Sequence, residues 1–232
     1  MSRLDAQSAV VDVATADVIA TDAAYERLLG SPTPHTVGNG TIRCHDGTVD
    51  HRVSFRVSDR AAAERLLTRR GLAVEEPVGV VGLDDTEGAD AAPACDISGF
   101  DHLVFTAPHR DHALALFGAS LDLEFRLDRD IGGGARQLFF RAGDLVIEVI
   151  AGVEAAPGEP AWCALWGVAW RAPDVDVTHR RLEESGLDVS EVRIGRKPGT
   201  RLFTVRDRAL ATRTVVIGPL ADDTAPTEGS TR

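Results

Sequence analysis

The chain has 232 residues, 44% of them hydrophobic, 26% charged and 5% aromatic, and 36 acidic against 25 basic side chains give a formal net charge of −11. That is enough apolar material for one large core or two small ones, while an acidic surface repels phosphate backbones and anionic lipid, so nucleic acid and membrane are excluded as expected partners. No apolar run approaches the roughly 18 residues of a membrane-spanning helix, the opening MSRLDAQSAVVDV lacks the regions of a secretory signal, and Cys44, Cys95 and Cys163 form neither a disulfide framework nor a CxxC zinc pattern, so a cytoplasmic protein is expected.

In chain order, a strand is predicted over 10–14, a helix around 21–29 stopping at Gly30, and a strand over 36–44. The segment VSFRVSD at 53–59 then opens an internal repeat, because VAWRAPD stands 115 residues later at 168–174. The same offset sets Arg65 over Arg180, Leu67 over Leu182, and Gly71-Leu72 over Gly186-Leu187, so that 7 of these 20 positions are identical. Each copy reads as a strand ending in an Asp that can cap a helix of about three turns, closed by a glycine suited to the left-handed C′ position. Residues 84–99 are acidic and small, without periodicity, and read as a linker.

A third copy starts at FDHLVFT, 100–106. Its helix, 110–121, sets Leu114, Phe117 and Leu121 on one face. Strands follow over 123–127, 137–141 and 145–150, with GGG at 132–134 and Ala142-Gly143-Asp144 as turns. After a flexible connection at 151–161, the fourth copy gives a strand over 165–171, a helix over 174–185 and strands over 189–194, 201–206 and 212–217. Residues 221–232 read as a disordered polar tail. The expected class is α+β, with four βαβββ modules of which the first two are trimmed, divided as 1–83, a linker at 84–99, and 100–220.

With four such modules, an FDH strand opening, an IEV strand close and a final RLFTV…TVVI ladder, the chain resembles the vicinal oxygen chelate superfamily of glyoxalase I, bleomycin-resistance proteins and extradiol dioxygenases. The resemblance covers 98–220 clearly and 8–83 partially. It implies two half-open barrels, the N-terminal one trimmed, whose concavity holds a small molecule and often a divalent metal, with one ligand on the first and one on the last strand of each module. Carried over, those positions are His102 and Glu148 in the third module, both suitable donors. They are Gly167 and Val215 in the fourth, Val10 and Arg43 in the first, and Arg52 in the second, whose last strand (78–83) offers no ligand. Two of four family positions make only a partial metal site, which argues against glyoxalase I chemistry and against an extradiol dioxygenase.

Alternation along strands puts His102, Val104 and Thr106 on one face and Val146, Glu148 and Ile150 on the matching one. A carboxylate in so apolar a strand needs a partner, so His102 and Glu148 are expected to meet in the cleft, either as half of a metal site completed by substrate and water or as an acid–base pair. Gln137 and Arg136 are candidate substrate contacts. The loop GRKPGT at 195–200 adds Arg196, Lys197 and Arg201, suited to an anionic group such as a carboxylate. Trp166 and Trp170 are assigned to the helix-covered side with Val168, and Trp162 to a loop within reach of a ligand. The reading is a small-molecule enzyme of isomerase or lyase type, monomeric or homodimeric. The alternatives are a metal-independent binding or resistance protein that holds a cationic ligand unaltered, and an N-terminal region that acts mainly as a cap.

Overall fold

The computed structural model describes residues 6, 8–47, 51–72, 78–83, 95–152 and 163–220. The expected tail at 221–232, most of the linker (84–94) and most of the 151–161 connection, with Trp162, lie outside them. The first half runs β1 (Ser8–Thr15), α1 (Val18–Leu29), β2 (His35–Val37), β3 (Gly40–Asp46), β4 (Arg52–Val57), α2 (Arg60–Arg69) and β5 (Val78–Gly82). The second runs β6 (Gly99–Ala107), α3 (Arg110–Ala113), β7 (Glu124–Gly132), β8 (Ala135–Ala142), β9 (Leu145–Ala151), β10 (Ala164–Arg171), α4 (Val175–Glu184), β11 (Arg193–Ile194), β12 (Thr200–Val205) and β13 (Arg213–Pro219). A five-stranded sheet is ordered β2-β3-β1-β4-β5, and an eight-stranded one β11-β12-β13-β10-β6-β9-β8-β7.

The repeat is physical. In both sheets the opening strands of paired modules lie side by side and antiparallel, β1 with β4 and β6 with β10, and each has the last strand of its own module parallel on its other side. The caps expected from the repeat are present. Asp59 Oδ1 accepts from Ala62 N at 2.8 Å, and Asp174 Oδ1 accepts from Asp176 N and Val177 N at 3.0 Å. Gly71 and Gly186 close their helices at φ +81° and +83°, where a side chain would be strained.

Departures from the sequence reading have local causes. The 36–44 strand is a hairpin, β2 and β3, and the absence of a Cβ on Gly40 lets the Phe100 ring approach within 2.0 Å of where that atom would stand. Helix α3 passes after one turn into a π-helical stretch, Leu114–Ser120, that still buries Phe117. The 189–194 strand shrinks to a bridge at Val189 and the two residues of β11.

Helices cover one side of each sheet, and the core lies between. Trp170 is fully buried, its ring 4.8 Å from Phe100 and 6.4 Å from Tyr25 of α1, so one core joins both sheets. Polar contacts cross the same boundary. Arg181 of α4 donates to Asp96 and to the carbonyls of Arg27 and Leu28, which end α1, and the Tyr25 hydroxyl meets Thr212 Oγ1 at 2.9 Å. Burial raises the Tyr25 pKa above its ordinary value despite that hydrogen bond, so it stays neutral. No helix among the described residues is long and apolar enough to cross a membrane.

Candidate functional site

The uncovered side of the eight-stranded sheet encloses a cavity of about 1000 Å³ lined by residues of β6, β8, β9, β10, β12 and β13. On its floor His102 Nε2 lies 3.3 Å from Glu148 Oε2. The two are on adjacent strands, and Val104 is the residue directly paired with Glu148. Each is held from behind. His102 Nδ1 donates to Asp101 Oδ1 at 2.8 Å, and the Gln137 amide donates to the other Glu148 oxygen, Oε1, while its own oxygen accepts from Arg129.

Asp101 reaches its neighbour because the strand carries one residue too many there. Ala169 pairs with His102 and Trp170 with Phe100, leaving Asp101 as a bulge that is freed from strict alternation. Burial opposes ionisation of Asp101, but the His102 hydrogen bond and the charges of His102, Lys197 and Arg171 outweigh it and hold the carboxyl below its ordinary range. An ionised Asp101 fixes the imidazole proton on Nδ1 and leaves Nε2 as the nitrogen facing Glu148.

A second bulge changes the opposite wall. Leu165 pairs with Phe105 and Gly167 with Val104, so Trp166 is the extra residue of β10. It therefore turns into the cavity, not to the helix-covered side as alternation implied, and is 47% exposed. The Arg213 guanidinium sits over its ring, 4.7 Å from the centroid. Trp170, four residues on, is in the core as expected.

The wall and mouth are basic in an acidic protein. Arg193, Arg196, Arg206, Arg208 and Arg213 line the cavity, against the carboxylates of Glu148 and Asp207. Asp207 is committed to capping Ala209 N and pairing with Arg27. Among the described residues only Arg206 of the five has a carboxylate partner, Asp188 at 3.6 Å between two exposed groups. Arg193 donates instead to the hydroxyls of Ser190 and Thr204.

Of the seven residues singled out from sequence, His102, Glu148, Gln137 and Arg196 come together in this cavity. Lys197 lines a neighbouring hollow of about 500 Å³ with Asp101 and Arg171. Arg136 points away from Gln137, as adjacent strand residues must, and pairs with Asp128, which Arg110 also engages. Arg201 likewise faces the helices and binds Asp176 of α4, while its neighbour Leu202 lines the cavity. Sequence reasoning missed Asp101 and Trp166, because a bulge leaves no mark in residue type, and it missed Arg213, which pairs opposite Gly167 at the start of β13.

The donor set does not fit a resident divalent metal. His102 and Glu148 offer two atoms where catalytic sites usually present three, and no third His, Cys, Asp or Glu donor converges on them among the described residues. Gln137 is engaged on both sides. At Gly167 a Cβ would stand 2.7 Å from the Arg213 carbonyl oxygen, so that position holds no side chain without a backbone shift.

Residues 94% of the chain long superpose on 93% of a triple mutant of 4-hydroxymandelate synthase from Streptomyces coelicolor, with a TM-score of 0.68 and 11% identity. The fold is that of the vicinal oxygen chelate superfamily. A xylose isomerase-like TIM barrel/4-hydroxyphenylpyruvate dioxygenase fusion protein matches 96% of the chain over 51% of its own length, with a TM-score of 0.66 and 12% identity. No family model matches the sequence, and no curated protein does. At these identities the likeness concerns the backbone, and function has to be argued from the cavity.

Proposed function

We propose that the cavity is the active site of an isomerase- or lyase-type enzyme that moves a proton at a carbon next to a carbonyl, in a small molecule bearing a carboxylate or similar anion. The observation that carries this reading is the 3.3 Å contact between His102 Nε2 and Glu148 Oε2. With Nδ1 donating to Asp101, Nε2 and a carboxylate oxygen face each other at hydrogen-bond distance. This is the arrangement by which an imidazole and a carboxylate share a proton. A carbon acid bound above it gives its proton to whichever member is unprotonated, and the other member returns a proton to the same or another face. The arginines serve the remaining need, since an enolate-like charge develops as the proton leaves and guanidinium groups oppose it.

The basic lining works against the cationic cargo suggested by the net charge of the whole chain, because a ligand meets the local field and not the average one. A binder that holds an anion unchanged would use the same wall, so turnover separates the two readings. The test is proton exchange. In D₂O, the protein incubated with a panel of 2-oxo and acyl carboxylates should wash deuterium into the carbon next to the carbonyl of at least one, followed by NMR. Glu148→Gln and His102→Ala should each slow that exchange by about 100-fold or more. Exchange that persists at the wild-type rate in both variants overturns the reading, and binding without exchange favours the binder.

A further inference from the structure

A second cluster of ligand-type side chains lies in the first half of the chain, on the helix side of the five-stranded sheet and unconnected with the cavity floor. Asp22 of α1, His35 of β2 and Cys44 of β3 bring one carboxylate oxygen, one imidazole nitrogen and one thiol sulfur within 4.8 Å of one another. His35 is 1% exposed, and Asp22 and Cys44 are half-buried. The mechanism proposed above uses none of them.

The hydrogen bonds around His35 give the cluster its direction. Its Nδ1 is 2.7 Å from the Ser31 carbonyl oxygen, which can only accept, so the proton is on Nδ1. Nε2 then faces Asp22 Oδ1 at 3.3 Å. Nε2 and a carboxylate oxygen, both donors to a metal ion, are thus directed at one another across a gap that an ion would bridge. A backbone carbonyl holding the far nitrogen is also the arrangement that orients metal-bound histidines and fixes their tautomer. Cys44 completes the set. Its thiol hydrogen-bonds Asp22, and burial followed by that carboxylate pushes its pKa up to about 12.

We propose that Asp22, His35 and Cys44 form a zinc site. Thiolate, imidazole and carboxylate suit a borderline-soft, tetrahedral ion. Ligand atoms around a tetrahedral zinc are about 3.5 Å apart, against the 4.8 Å that bounds the present spacing. Binding replaces the Cys44 thiol proton with the ion. Three protein ligands leave a fourth position for water. The ion ties α1 to the β2–β3 hairpin, the face on which Tyr25 packs 5.8 Å from His35 before reaching across to Thr212 at the cavity wall.

The full-length protein, stripped with chelator, is titrated with Co²⁺ alone. One equivalent should bring a sulfur-to-cobalt charge-transfer band and the visible bands of a tetrahedral ion, and Zn²⁺ should abolish both. Cys44→Ser should remove the charge-transfer band, and Asp22→Asn should weaken binding about 10- to 100-fold. His102→Ala should leave the spectrum unchanged, which separates this site from the cavity. Absence of the band in folded wild-type protein, or its survival in Cys44→Ser, overturns the proposal. Should Cys44→Ser fail to fold, alkylation of the wild-type protein decides: Zn²⁺ should slow modification of Cys44 relative to Cys95 and Cys163, and equal rates with and without zinc overturn it.

Discussion

The open faces of the two sheets start from the same repeat and end in opposite chemistry. On the five-stranded sheet, positions corresponding to the cavity floor hold Arg43, bound by both Nε and Nη2 to Asp12 (2.6 and 3.0 Å), and Arg52, whose Nη2 stands 2.7 Å from where a Gly79 Cβ would be. Their charges are directed to neighbouring strands or crowd the surface. On the eight-stranded sheet the same topology presents a histidine and a glutamate, paired with each other, to an open cavity of about 1000 Å³. A module keeps its strand order while its face changes occupation. Filled faces stabilise; a face left polar, partnered and open is available for chemistry.

The sharpest way to break this contrast is to compare the two faces directly. Glu148→Gln or His102→Ala should lower turnover of whichever carboxylate exchanges its proton by about 100-fold or more, whereas Arg43→Ala, on the exposed pair of the other face, should leave turnover unchanged and shift stability by no more than about 1 kcal/mol, both read by NMR exchange and denaturant titration. Next in size is the junction between the halves. Arg181→Ala strands Asp96 and frees two carbonyls at the end of α1, and should cost about 2 to 3 kcal/mol in a urea melt; a change below about 0.5 kcal/mol would mean that this arginine does not help to join the halves. Gly167→Ala forces a Cβ toward the Arg213 carbonyl and should cost about 1 to 3 kcal/mol, with a weaker effect expected if the bulge at Trp166 relaxes.

The smallest expected effect is a pH dependence. Asp101 and Asp96 are both held below the ordinary carboxylate range, each against its burial, by His102 and by Arg181 respectively. A depressed folded-state value means a contribution that is present above the unfolded value of about 4 and disappears as pH falls through the folded one. Stability should therefore decline below about pH 4, and Asp101→Asn should flatten that decline. An unchanged slope would show that Asp101 is not ionised against His102.

Much of the architecture could be read from residues because the repeat supplied two readings of each element. Asp59 and Asp174, 115 positions apart, cap equivalent helices, and the glycines at 71 and 186 end them. His102 and Glu148 were legible for the same reason, each falling at a ligand position of one module. What escaped depended on counting within strands. Gln137 and Arg136 are adjacent on one strand and so face opposite ways, and Arg201, though next to the 195–200 loop, is directed by its strand to Asp176. Trp166 and Asp101 occupy bulges, which shift the alternation without altering composition. Asp22, His35 and Cys44 come from a helix and two strands, at separations of 13 and 9 residues that match no short ligand motif.

The bulge in β10 has a consequence for how such a protein changes over time. One surplus residue decides that Trp166 reaches solvent while Trp170 remains interior. Loss of a single codon upstream of Gly167 would restore simple alternation and replace the indole beside Arg213 with another side chain, with no substitution anywhere in the strand. Frame length, as well as spelling, is thus a variable on which selection can act to retune what this hollow accepts.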